Sequence, residues 1–246
     1  MKKLLMVCAL LVVCIVANPA YAAPLPPKTI VAPAQSWSGC YAGAHVGGAW
    51  SHLDITDVGV LGHAAAANGV AGQVFNANSS SVLRGGHVGC DVRAGAIIVG
   101  PVFDLGWMGL NKSTLDPGSA SNTIAGIDSG LYGDISERIG VPVHKKALLY
   151  GKGGWAFFNG RRLYSTQSAN IISVSNVGVF SGFVVGGGVE YRLRSNWTGN
   201  AEYSYYGFPS QTFDTLNTSA NAYPFKEKLS VNVLKLGVNY RFGRKR

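Results

Sequence analysis

The stretch from Trp37 to Trp50, WSGCYAGAHVGGAW, sets glycines, one cysteine and one histidine among aromatic rings. Residues of these types serve phosphate cradles, metal sites and thiol chemistry. A phosphate cradle places its glycines between a strand and the N-terminus of a helix. Here, and at Gly85-Gly86 and Gly186-Gly187-Gly188, the glycines sit inside strand-like alternation with no helical period after them, so the nucleotide reading fails. The five histidines do not cluster along the chain. His45 and His87 make the one plausible pair, and two ligands are too few for a closed structural metal site. They are read as a satisfied polar pair inside the fold, with no metal and no cofactor assigned. A Ser-His-Asp arrangement would need its serine on a sharp strand-to-helix turn; none is legible, and no catalytic residue is assigned. Asn78-Ser79-Ser80, Asn196-Trp197-Thr198 and Asn217-Thr218-Ser219 match glycosylation acceptors, a pattern of little meaning in a bacterium.

The elements that position these residues begin after a leader. Lys2 and Lys3 precede an apolar run from Leu4 to Ala17, and Ala20-Tyr21-Ala22 forms a small-x-small cleavage site. Residues 1–22 are therefore expected to be a secretory signal peptide. The run is shorter than the roughly 20 apolar residues of a spanning helix. Of 21 lysines and arginines two leave with the leader, so 19 face 12 acidic residues and the mature charge is about +7. Outside the cytoplasm such a charge favours anionic lipid or lipopolysaccharide over nucleic acid. Residues 23–36 form a proline-rich leader, read as a short extended linker.

From Trp37 onward, segments of period-2 patterning alternate with polar stretches. Eight strands are expected, at about 38–50, 83–93, 96–108, 130–141, 146–158, 180–193, 197–207 and 229–242. Short connections (93–95, 141–145, 194–196) alternate with long ones (51–82, 109–129, 159–179, 208–228). The fold class read from this is all-β: an eight-stranded antiparallel transmembrane β-barrel with short periplasmic turns and long extracellular loops. The barrel is expected over 37–242, with a basic periplasmic tail at 243–246.

Each strand has two chemically distinct faces. Trp197, Tyr203 and Tyr205 share one face of the seventh strand; Thr198, Asn200, Glu202 and Ser204 share the other. The polar face is assigned inward, where a narrow barrel also favours glycine. It carries charges of both signs: Asp91, Arg93, Asp104, Asp134, Arg138, Lys152, Glu190, Arg192, Glu202, Lys235 and Arg241. Such groups must satisfy one another, because an unpaired buried charge costs several kcal/mol. Glu137 has lipid-facing parity and is expected near the periplasmic rim. A parity change between Asn232 and Lys235 is read as a bulge or the end of the membrane zone. Trp37 and Tyr41 are placed near the periplasmic boundary and Trp50 near the outer one.

Six motifs in order resemble the porin-like outer-membrane proteins of alphaproteobacteria, a family of eight-stranded surface antigens. They are Trp37-x-Gly39-x-Tyr41-x-Gly43, Arg138-Ile139-Gly140, Tyr150-x-x-Gly153-Gly154, Gly186-x-Gly188-x-Glu190-Tyr191, Trp197 with Glu202-Tyr203, and Gly237-x-x-Tyr240-x-Phe242. The resemblance covers essentially the whole mature chain. It implies an outer-membrane location and insertion by the barrel assembly machinery, with Lys235, Gly237, Tyr240 and Phe242 as the assembly signal. This chain departs from the family by running four residues past Phe242. The resemblance also implies a structural and surface-interaction role, with host or environmental ligands at the loops. Passage of small solutes is an alternative. Haemin binding by the loops is another, with His52 and His63 as candidate ligands beside Tyr164 and Tyr223.

Cys40 and Cys90 stand where the resembling family usually has Tyr or Phe. Both fall near the periplasmic end on the outward face of adjacent strands. Directly opposed residues of an antiparallel pair lie within disulfide reach, and the periplasm is oxidising. A cross-strand disulfide is one reading, and two small apolar residues touching lipid is the other.

Overall fold

The computed structural model describes residues 37–57, 74–110, 112–115, 123–166, 176–216 and 222–242. The expected signal peptide, leader and basic tail, together with His63 and the Asn217-Thr218-Ser219 pattern, lie outside the described residues. The strands are β1 (Gly39–Asp57), β2 (Val74–Asn76), β3 (Ser79–Ala94), β4 (Ile97–Met108), β5 (Lys112–Leu115), β6 (Thr123–His144), β7 (Ala147–Thr166), β8 (Asn176–Arg194), β9 (Trp197–Leu216) and β10 (Ala222–Arg241). Eight of them form an antiparallel wall in the order β1-β3-β4-β6-β7-β8-β9-β10, and β10 pairs back onto β1 to close the ring. The short β2 and β5 pair against β1 and β6. Closure leaves the wall without an unpaired edge, the condition for crossing lipid with strands.

Alternation places the side chains. On β4, Ile98, Gly100, Val102, Asp104 and Met108 are turned inward and covered, while Ile97, Phe103, Leu105 and Trp107 are exposed. The same two-residue period exposes Phe183, Val185, Val189 and Tyr191 on β8, and Leu234, Leu236, Val238 and Tyr240 on β10. Two-residue turns at Gly95-Ala96, Lys145-Lys146 and Ser195-Asn196 join the strands at one end. Gly95 and Ser195 have φ of 64° and 46°, the left-handed conformation that tight hairpin turns require. Near these turns Trp197, Tyr240 and Phe242 pack edge to face, with centroids 5.2 Å apart in each pair. About ten residues up the wall, Trp50, Trp107, Trp155 and Phe183 are exposed in turn. That spacing matches the aromatic girdles on either side of an apolar band.

The strands are longer than expected. β6 has 22 residues and β7, β9 and β10 have 20 each, against about 9–11 needed to cross the hydrocarbon core. Much of what reads as long loop in sequence continues as ladder: Asp54, Ile55 and Thr56 pair with Lys228, Glu227 and Lys226. Polar side chains do not interrupt an antiparallel ladder, since its hydrogen bonds are made by the backbone.

The parity change expected in the last strand is absent. The β1–β10 ladder runs unbroken from Tyr41 and Arg241 to Asp57 and Phe225, so Leu229, Val231 and Val233 face inward with Lys235. The register shift on β10 lies instead against β9, between Glu227 and Leu229. The apolar residues are inside because the upper barrel is filled by a hydrophobic plug. Leu53, Ile55, Leu83, Met108, Phe158, Phe180, Phe208 and these three residues form one buried cluster. A second, smaller cluster of Trp37, Ile98 and Leu148 closes the periplasmic end. Charged and hydrogen-bonding groups occupy the layer between.

Candidate functional site

The middle layer is built from inward positions on all eight wall strands. Its periplasmic half centres on Arg241. Its guanidinium donates to Asp91 Oδ2 at 2.8 Å, to Glu190 Oε1 at 3.0 Å and to the carbonyl of Trp37 at 2.6 Å. Glu190 also accepts from Arg138 and from Thr198 Oγ1, and is fully buried. Arg138 lies 4.1 Å over the ring of Tyr150, and Arg192 lies 4.2 Å over that of Trp37. Charge-assisted bonds and stacked rings together replace the water these groups lose on burial.

Above it, three carboxylates face two ammonium groups. Lys152 Nζ lies 3.0 Å from Glu202 and 3.2 Å from Asp134, and Lys235 Nζ lies 2.9 Å from Asp104 and 3.3 Å from Glu202. Hydroxyls complete the shell: Tyr206 donates to Asp134, Tyr150 and Ser204 to Glu202, and Ser136 to Asp134.

Of the eleven charges assigned inward from sequence, ten enter this layer and Arg93 does not. Arg93 is exposed and donates to the carbonyl of Gly95 at 2.9 Å. Its parity is inward, but it sits two residues from the Gly95-Ala96 turn, at the open end of the strand pair. Trp37 and Tyr41 sit at the expected end yet face inward, 3% and 2% exposed. They cap the charges instead of meeting lipid. Glu137 is exposed on the outer face, between Pro101 and Gly153 in the ladder.

The histidine pair gains partners that sequence reasoning did not supply. His45 Nδ1 and His87 Nδ1 face each other at 3.3 Å across stacked rings. The far nitrogens are held by Tyr132 Oη at 2.6 Å and Asn239 Oδ1 at 2.7 Å. Asp104 completes the group, 3.6 Å from His45 Nε2. Glycines make the room: a Cβ on Gly85 would lie 2.7 Å from His45 Nε2, and one on Gly43 2.8 Å from His87 Nε2. Inward parity on β6 and β10 was the available signal for Tyr132 and Asn239.

Cys40 and Cys90 are directly opposed in the β1–β3 ladder and form a disulfide, with Cα atoms 3.8 Å apart. Both residues are exposed on the outer face. At the extracellular end His52 contacts Asn78 Oδ1 at 2.6 Å and Asp54 Oδ1 at 3.0 Å, so both ring nitrogens are engaged. The side chains of Tyr164 and Tyr223 lie outside those described.

The family model of the outer membrane protein beta-barrel domain matches residues 6–242. The chain is 23% identical over 221 residues to a 25 kDa outer-membrane immunogenic protein of Brucella abortus, covering 89% of this chain and 85% of that one. It is 29% identical over 212 residues to a 22 kDa outer membrane protein of Rhizobium leguminosarum, covering 86% and 81%. Among solved structures, that of outer membrane protein AlkL in lipid bilayers is 16% identical, with a TM-score of 0.49 and coverage of 94% and 99%.

Proposed function

The chain belongs to the outer membrane protein beta-barrel domain family, and on that premise we propose that it is a non-enzymatic structural and surface-interaction protein of the envelope. As a member it resides in the outer membrane of a Gram-negative bacterium. The observation that carries the proposal is the filled interior. An eight-stranded barrel is just wide enough for side chains to fill it. Here an apolar plug, a layer of paired charges and a Trp37 cap are stacked along its axis. This favours a rigid stave in the membrane over a water-filled path.

The exposed apolar band meets lipid and lipopolysaccharide, and the strands that continue above it carry the loops away from the membrane to meet host or environmental ligands. Lys235 and Gly237 inside, with Tyr240 and Phe242 outside at the periplasmic end, serve as the signal for the barrel assembly machinery. The signal peptide at 1–22 directs export of the chain, and residues 23–36 serve as a short periplasmic linker. Planar-bilayer recording of the refolded monomer tests the reading. It should give no steady conductance, and solute-selective steps from single barrels would replace it with the porin-like alternative.

A further inference from the structure

We propose that His45, His87 and Asp104 form a buried binding site for a divalent transition-metal ion of the zinc or cobalt type. One ligand atom from each of the three lies within 4.8 Å of the other two, the one such group among the described residues. The two facing Nδ1 atoms are 3.3 Å apart. Two metal–nitrogen bonds of about 2.0–2.1 Å at a tetrahedral angle span about 3.3–3.4 Å, so the imidazoles already stand at the edge length of a coordination tetrahedron.

The outer nitrogens are arranged as metal-binding histidines require. A ligating imidazole directs its other ring nitrogen to a fixed polar partner, which sets the tautomer and the ring angle. Asn239 Oδ1 does this for His87 and Tyr132 Oη for His45. With Oδ1 as acceptor, His87 carries its proton on Nε2 and presents a bare lone pair at Nδ1.

Asp104 supplies the independent observation. It is 3% exposed, and while Oδ2 accepts from Lys235, Oδ1 is buried 3.6 Å from His45 Nε2 with no hydrogen-bond partner. A buried carboxylate oxygen without a donor is costly, and a cation between it and the imidazoles removes that penalty. Beside the group lies a cavity of about 20 Å³, bounded in part by Tyr41, Glu202 and Lys235. It has room for one water, which would complete a two-imidazole, one-carboxylate, one-water sphere of the kind zinc accepts. A shared proton between the two imidazoles is the competing occupant of this space.

The barrel is refolded from urea with zinc or cobalt(II) present, since the site is enclosed, and then desalted. The background carries His52→Ala, His63→Ala and His144→Ala, which removes the other three histidines of the chain. The expected result is one zinc per chain by elemental analysis and a visible cobalt absorption band of tetrahedral intensity. His45→Gln and His87→Gln, checked for folding by heat-modifiable mobility, should each abolish both signals. Asn239→Ala should weaken zinc binding by about 10–100-fold. Zinc retained equally by both histidine variants would overturn the proposal. So would a parent barrel that keeps no metal or shows only the aqua-cobalt spectrum, a result that stands even if the variants do not fold.

Discussion

Replacing Arg241 by Met tests whether the charged layer is a set of mutually dependent pairs. Among the described residues Arg241 pairs with Asp91, whose other oxygen accepts no hydrogen bond, and shares Glu190 with the guanidinium of Arg138. In the variant Glu190 keeps Arg138 and Thr198, whereas Asp91 keeps a buried charge without its cation. Breaking a buried pair from one side costs about 3–5 kcal/mol. The periplasmic mouth is close, so the lower end applies, about 3 kcal/mol, or roughly a 150-fold shift in the folding equilibrium. Adding Asp91→Asn removes the stranded charge and should restore most of the loss, to within about 1 kcal/mol of the parent. Urea titration of the barrel refolded in lipid vesicles, followed by tryptophan fluorescence, measures all four corners of this cycle. An Arg241→Met barrel as stable as the parent, or a double variant no better than the single one, would refute the reasoning.

Alkylation and mass spectrometry without reductant should find Cys40 and Cys90 joined; reduction should lower the urea midpoint, with about 4 kcal/mol as the chain-entropy ceiling for a bridge spanning 50 residues. Gly85→Ala should destabilise by about 1–3 kcal/mol, because the new Cβ lies 2.5 Å from the Leu105 carbonyl as well as against His45; an unchanged midpoint would show that the wall yields freely there. Glu137→Leu removes an exposed carboxylate from the lipid-facing side, and the same titration should show a gain of about 1 kcal/mol.

The barrel was legible because one face meets lipid and the other meets mixed charge, so most strands alternate visibly. The reading weakened where both faces are apolar. Above the charged layer Val231 and Val233 fill the lumen while Leu234 and Leu236 face outward, and nothing in residue type separates inside from outside. Only counting by twos from Lys235 would have placed them. Arg93 shows the opposite limit, since parity gives direction and not depth. Register between neighbours in the chain raised the disulfide as one of two readings of Cys40 and Cys90, and the structure decides for it. The His45–His87 group was legible only in part: Asp104 is the register partner of His87 on β4, but Tyr132 on β6 and Asn239 on β10 reach the histidines only once the barrel is closed.

That cross-lumen wiring bears on the order in which the barrel can be made. Arg241 on β10 needs Asp91 on β3 and Glu190 on β8, and Lys235 on β10 needs Asp104 on β4. Until β10 meets β1, each of these groups must stay hydrated. The Cys40–Cys90 bond joins only β1 and β3 and can form on that hairpin alone. The chain thus presents one covalently braced edge to which its last strand is fitted. Arrival of β10 then dehydrates and matches the charges together, so the seam acts as a latch: a misregistered last strand would leave carboxylates stranded and reopen.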